Sequence, residues 1–121
     1  MVNGRDDPAL RKGLPMAWAS LFIAGLLEVV WAYFMKQSAG FTRLWPSVIT
    51  LAAMGASFTL LSWSMRVLPL GTAYTVWTGI GAVGAFVLGI VFLGESMTPM
   101  RIAAAMLILS GLVLMRLSAA S

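Results

Sequence analysis

The sequence predicts an all-α membrane protein with four transmembrane helices in each subunit. Of its 121 residues, 60% are hydrophobic and only 10% are charged, whereas about a quarter of the residues of a soluble domain are charged. Residues 44–65 and 67–94 contain no charged residue, and neither do residues 102–115. About 20 apolar residues are enough to cross the hydrocarbon core. A chain this short cannot bury so much apolar surface in water, so a soluble monomer is excluded.

Prolines and glycines indicate where each helix begins and ends. Four of the five prolines stand at the front of an apolar segment: Pro15, Pro46, Pro69 and Pro99. Proline is favoured in the first helical turn, where its missing N–H would have no partner anyway. Gly40 and Gly94 follow the first and third segments, as helix stop signals do. The helices are therefore predicted at about 16–36, 45–65, 69–93 and 98–116.

The two ends of the chain are predicted to lie outside the membrane. Residues 1–15 are polar, carry five charges and show no helical apolar stripe, which is typical of a disordered tail. Residues 16–117 form the expected four-helix transmembrane domain, and 118–121 a short C-terminal tail. Short connections make neighbouring helices antiparallel.

Several classes of function are excluded by composition. The chain has no cysteine and no histidine, so disulfides, zinc sites, cysteine nucleophiles and imidazole catalysis are excluded. We expect no cofactor, no metal and no enzymatic activity. The basic residues are scattered singly, which is typical of the flanks of a membrane protein in contact with the lipid bilayer, and no nucleic-acid partner is expected.

The positive charges barely decide the orientation in the membrane. With a cytoplasmic N-terminus, that side carries Arg5, Arg11, Lys12, Arg66 and Arg116, and the other side carries Lys36, Arg43 and Arg101. Without the tail, the count is two against three, so the positive-inside rule gives little preference. Two oppositely inserted copies would form an antiparallel, dual-topology homodimer, the counterpart of the inverted repeats of larger transporters. A paralogous partner of fixed orientation is the alternative.

Glu28 is the most informative residue of the sequence. It lies near the middle of the first apolar segment, with no basic residue within helical reach. A carboxylate at that depth is costly and usually functional. Since no lysine or arginine lies at the same depth, its partner has to be a proton or a bound cation. The alternative is a protonated Glu28 that only bonds a neighbouring helix.

Small and aromatic residues are expected around this carboxylate. Gly25 shares a helix face with Glu28, and Trp31 follows one turn later. In the third segment, Tyr74 and Trp77 are spaced i, i+3, and aromatic rings beside a carboxylate suit an organic cation. Packing or lipid contact is the alternative for both rings. Ser57 lies mid-membrane in the second segment, where it can bond Glu28 or the carbonyl of its own preceding turn.

The third and fourth segments are rich in small residues. Gly79, Gly81 and Gly84 are expected to let the third helix bend or approach another backbone closely. They also spell G-x-G-x-x-G, which is accidental here because no strand precedes it. In the fourth segment, Ala104 and Gly111 are seven residues apart with Ser110 adjacent, which favours a dimer contact.

The motifs resemble those of the small multidrug resistance transporters. They are GLLEVVWAYFMKQSAGFTRLWPS (25–47), the Ser57 segment and LPLGTAYTVWTGIGAVG (68–84). The resemblance implies a four-helix subunit that forms antiparallel dimers and exchanges protons for cations in the bacterial inner membrane. The shared proton and substrate site would be Glu28, with Trp31 and Ser57 in its hydrogen-bond network, Tyr74 and Trp77 as binding aromatics and Gly25 as the small neighbour. Ala104 departs from a glycine that is common in the dimer motif of this family.

Within that family, the chain resembles the guanidinium-exporter subtype. Trp31-Ala32 follows Glu28-Val29-Val30, and Trp77-Thr78-Gly79 begins the glycine motif, where quaternary-ammonium exporters usually have Gly-Thr and Trp-Ser-Gly. Guanidinium pairs bidentately with carboxylates, and donors left unpaired in a dry site would each cost roughly 1–3 kcal/mol. The function implied is proton-coupled export of guanidinium and small guanidinyl cations. The alternatives are a quaternary-ammonium multidrug exporter of the same fold and a membrane scaffold without transport activity.

Overall fold

The computed structural model describes residues 8–120, and over that range it contains four α-helices and no strand. The helices are α1 (Pro8–Gln37), α2 (Leu44–Ser64), α3 (Leu70–Leu93) and α4 (Pro99–Ala120). Each contains at least 20 residues that are apolar enough to cross a membrane. The predicted all-α class with four membrane-spanning helices is confirmed.

Both ends of the helical domain extend further than the sequence predicts. Helix α1 begins at Pro8 and contains Pro15, so residues 8–15 are helical where a disordered tail was expected. Residues 1–7 of that expected tail lie outside the described residues. The segment 9–12 (ALRK) consists of strong helix formers, and Pro8 stands at the first helical position, which suits proline. Helix α4 likewise continues through Ala120, into the expected C-terminal tail.

The four helices are not equally buried. Helix α1 packs against both α2 and α3, whereas α4 packs mainly against α3 and reaches α1 through Arg116, whose guanidinium lies 4.6 Å from the centroid of the Trp18 ring. The buried apolar residues lie where the first three helices meet: Ala17, Leu21 and Ala24 on α1, Leu61 on α2, and Ala73, Val76 and Trp77 on α3. The three residues of α1 recur at helical spacing, so a single face of α1 forms the centre of the core. Helix α4 leaves most of its surface free for lipid or for another subunit.

Glycines bring α1 and α3 close together. A Cβ at Gly25 would lie 2.6 Å from the Ile80 side chain, and one at Gly84 would overlap the Val29 side chain. Small residues allow this approach because two backbones meet without a side chain between them. Helix α3 is continuous through its glycines. The bend expected at Gly79, Gly81 and Gly84 stays a prediction for another conformation.

Candidate functional site

The carboxyl group of Glu28 lies against the backbone of α3. A Cβ at Gly81 would overlap Oε1 of Glu28, so only glycine leaves room for the carboxylate at this position. The other oxygen, Oε2, is buried and has no hydrogen-bond partner among the described residues. An unpaired oxygen in an apolar setting is costly. The site is therefore set up to receive a proton or a donor from a ligand.

Trp31 adds a second unpaired polar atom on the same face of α1. Its indole Nε1 is buried and finds no acceptor within the part of the chain that the structure describes. The ring packs edge-on against Phe58 of α2, with the centroids 6.3 Å apart. Buried indole N–H groups usually have a partner. Glu28 and Trp31 thus each keep one buried polar atom without a partner among the described residues.

A hydrogen-bond chain joins the three inner helices one turn below Glu28. The indole Nε1 of Trp77 donates to Ser57 Oγ at 2.9 Å, and Ser57 Oγ donates to the Ala24 carbonyl at 2.7 Å. Ser57 is fully buried, and its only proton is used in this chain. Neither sequence-based expectation for Ser57 holds in this conformation, because its hydroxyl bonds α1 rather than Glu28 or its own helix. Ser57 therefore orients Trp77 and ties α2 and α3 to α1 one turn before Glu28.

Aromatic rings form a continuous row that includes Trp77. Trp77 contacts Tyr74 at 5.7 Å and Phe58 at 5.6 Å between centroids, and Phe58 in turn contacts Trp31. Sequence reasoning places Tyr74, Trp77 and Trp31 together but misses Phe58. A lone phenylalanine in a membrane helix is ordinary, and only its position directly after Ser57 could have drawn attention to it. Within the row, Phe58 and Tyr74 are exposed, whereas Trp77 is buried.

Two glycines exchange the roles expected of them. Gly25 is predicted to be the small residue beside the carboxylate, but it packs against Ile80. Gly81 lies beside the carboxylate instead. The reason is the relative placement of α1 and α3, which no spacing within one helix reveals. Gly79 packs against Leu112 of α4 and has no contact with the site.

The small residues of α4 are free for the predicted dimer contact. Ala104 and Ser110 are exposed, and Gly111 has no atom from another residue near the place of a Cβ. The hydroxyl of Ser110 donates to the Met106 carbonyl of its own helix at 2.8 Å, so it adds no unpaired donor to this face. A second subunit could approach closely here.

No described residues form a group of three or more possible metal ligands among His, Cys, Asp and Glu. Glu28 is the only carboxylate inside a span over residues 13–118. The chemistry available at the site is thus that of one carboxylate, an indole N–H and aromatic rings.

Residues 16–108 match the family model described as Small Multidrug Resistance protein. The chain belongs to the small multidrug resistance family. Proteins named guanidinium exporter from Citrobacter freundii and Salmonella typhimurium are each 59% identical to it over 103 residues, covering 85% of this chain and 98% of theirs. The protein of the same name from Escherichia coli (strain K12) is 60% identical over the same length.

Family membership confirms the resemblance found in the sequence. The chain is a membrane transporter rather than an enzyme, and a multi-pass protein of the bacterial inner membrane. The matched residues include all six of the predicted proton and substrate site: Gly25, Glu28, Trp31, Ser57, Tyr74 and Trp77.

Proposed function

We propose that this member of the family is a proton-coupled antiporter that exports guanidinium and small guanidinyl cations, with Glu28 as the shared site for proton and substrate. The observation that carries the proposal is the buried, unpaired Oε2 of Glu28, in a span whose single basic residue, Lys36, lies eight positions further along α1. The names of relatives at 59–60% identity support the choice of substrate.

Competition for one carboxylate would couple the two fluxes. In the hydrocarbon, Glu28 needs either a proton or a cation, because an unpaired charge there is costly. A bound cation therefore excludes the proton, and a bound proton excludes the cation. No further relay is needed for exchange.

Guanidinium suits the described groups better than a quaternary ammonium ion. It is planar, and its N–H groups can pair bidentately with a carboxylate. The Glu28 oxygens can accept these bonds, and the unpaired indole N–H of Trp31 on the same face of α1 is a further donor that the carboxylate could accept once the site rearranges around an ion. The exposed rings of the row, Phe58 and Tyr74, can lie along the flat faces of the ion, while the buried Trp77 holds the two rings in place.

The working unit we infer is an antiparallel homodimer. Glu28 and Trp31 each keep an unpaired polar atom in one subunit, and α4 has a face without a partner among the described helices. Two Glu28 groups near the dimer axis would titrate as a coupled pair. Since the subunits are identical and inverted, the inward-open and outward-open states would be structurally equivalent, and the dimer would alternate between them.

The test is electrical. Protein reconstituted on a solid-supported membrane should give a current on addition of guanidinium, and Glu28→Gln should abolish it while the dimer still elutes at its normal size. A Glu28→Gln protein that still couples guanidinium to protons would disprove the proposal.

A quaternary-ammonium exporter is the second candidate, favoured by one observation. Phe58 and Tyr74 are 46% and 53% exposed, so apolar substituents of a drug cation could reach them from the lipid. A current with tetrapropylammonium alone would transfer the function to this class. No current with either ion, in protein that is folded and dimeric, would favour a scaffold or a missing paralogous partner.

A further inference from the structure

A second carboxylate, Glu95, lies just beyond the end of α3. The helix ends with Gly94 in the left-handed conformation (φ 67°), which favours glycine at helix C-termini, and the Glu95 N–H donates to the Gly89 carbonyl at 3.1 Å. This turn directs the side chain back along α3. A Cβ at Gly89 would meet Glu95 Oε1 at 2.5 Å, so the carboxylate lies on the helix backbone instead of extending into water.

The guanidinium of Arg101 occupies the space beside this carboxylate. Its Nη2 lies 3.5 Å from Glu95 Oε1 and its Nη1 lies 3.3 Å from Ser96 Oγ. Its Cζ lies 5.4 Å from the centroid of the Phe86 ring. A guanidinium group is thus held between a carboxylate and an aromatic face, the two groups that recognise this ion best.

The contact between the two side chains is loose. Guanidinium–carboxylate bonds are normally roughly 2.7–2.9 Å long and often bidentate, whereas here one nitrogen approaches one oxygen at 3.5 Å. The side chains are 40% and 37% exposed. A half-exposed pair with this geometry contributes about 0–1 kcal/mol, so a competing ion can separate it.

The pair borders a cleft that also touches the chain neighbours of the central site. It has a volume of about 310 Å³ and lies between α1 and α3, with Glu95, Arg101 and Phe86 at one end. Its walls include Val29 and Ala82, the chain neighbours of Glu28 and Gly81. A free guanidinium ion is small enough for a space of this volume.

We propose that Glu95 and Phe86 form an outer cation site, which takes a free guanidinium ion by displacing the guanidinium of Arg101. The identity of this ion rests on the proposed function. In the absence of the ion, the Arg101 side chain fills the site with its own guanidinium group and keeps Glu95 and Phe86 apart at a suitable distance. It binds there again when the ion leaves. Lys36 borders the same cleft, and its positive charge keeps the site weak. A weak site passes an ion along rather than retaining it.

The first test compares the KM for guanidinium in single variants, from solid-supported membrane currents. Glu95→Gln removes the acceptor, so KM should rise about two- to fivefold, the range expected for a half-exposed ion pair. Arg101→Gln removes the competitor, so KM should fall. If the pair were only structural, both variants would weaken the same contact and shift KM in the same direction, which would overturn the proposal.

A double variant separates local exchange from long-range electrostatics. Arg101 acts only through Glu95 in the proposal, so Glu95→Gln with Arg101→Gln should keep the raised KM of Glu95→Gln alone. If the two single variants acted only by changing the net charge near the cleft, the loss of one negative and one positive charge would cancel, and KM would return to the wild-type value. Lys36→Gln is the matched comparison: it removes a charge at the same cleft that forms no ion pair with Glu95, so KM should fall by less than in Arg101→Gln. A fall in KM as large as that of Arg101→Gln would also count against the proposal.

A binding measurement distinguishes failure of this site from failure of the proposed function. In the Glu28→Gln background the central site is removed, and guanidinium should still shift the side-chain Nε resonance of Arg101 in NMR spectra. The shift should disappear when Glu95→Gln is added. A wild-type protein without guanidinium current would refute the proposed function alone, whereas an unmoved Arg101 resonance at saturating guanidinium would refute the outer site.

Discussion

Two carboxylates lie against glycines of α3, but their surroundings differ. Glu28 lies against Gly81 and Glu95 lies against Gly89, eight residues further along the same helix. Glu28 keeps one buried oxygen without a partner, whereas Glu95 faces Arg101 across 3.5 Å and is partly exposed. Glycine thus brings a carboxylate to a helix backbone in both places. The neighbouring side chains determine whether the carboxylate is left unpaired, as in Glu28, or forms an ion pair, as in Glu95.

The largest expected difference between the two regions comes from the glycines themselves. In Gly81→Ala the new methyl overlaps a carboxylate enclosed by α1 and α3, and overpacking of this kind typically costs about 1–3 kcal/mol. We expect guanidinium currents to fall by about tenfold or more. Gly89→Ala should have a much smaller effect, because Glu95 can turn outward into water.

Currents of both glycine variants should be measured at matched protein density in the membrane. Equal losses would show that the two carboxylates are equally constrained, and the comparison would then fail.

Ser57→Ala should give the next largest effect. It removes the acceptor of the Trp77 indole and the bond to Ala24, and a buried donor left without a partner costs about 1–3 kcal/mol. Thermal unfolding in detergent should move to lower temperature, and transport should fall as Trp77 loses its orientation.

Ser64→Ala is the matched control for Ser57→Ala. Ser64 is also fully buried, but its hydroxyl donates to Leu61 of its own helix. A similar loss in both variants would mean that the bond between helices has no special role.

Trp31→Phe tests the unpaired indole directly. The ring contact with Phe58 can be kept, but the N–H that is available to Glu28 is lost, a change of about 0.5–1.5 kcal/mol for one hydrogen bond. The KM for guanidinium should rise about two- to tenfold. Trp45→Phe, at an exposed position at the start of α2, should leave KM unchanged; a rise there as well would point to a general loss of folding.

The smallest effect is expected at the start of α4. Thr98 Oγ1 accepts the Arg101 N–H at 3.2 Å, which is the bond of a helix N-cap, and such caps contribute about 1 kcal/mol. Thr98→Ala should lower thermal stability slightly without the large loss of transport predicted for Gly81→Ala. A transport loss as large as that of Gly81→Ala would show that the start of α4 is strongly coupled to the Glu28 site.

Local patterns predict the four helices well but their ends less well. Apolar segments flanked by Pro46, Pro69 and Gly94 agree with the structure to within a residue or two, because each signal acts on the backbone next to it. The start of α1 differs by eight residues, since the helix-forming segment 9–12 outweighs its polar character.

For the site, the residue types along the chain were enough to predict its chemistry. Which residues hydrogen-bond and pack around Glu28 depends on the packing of the helices. Glu28 stands out because a carboxylate in a membrane span is costly wherever it points. The bond from Ser57 to Ala24, the place of Gly81 beside the carboxylate and the inclusion of Phe58 all depend on how α1, α2 and α3 are placed against one another. Periodicity tells which residues share a face of one helix. It carries no information on which residue of another helix that face will meet, because that is decided by the packing of the whole bundle.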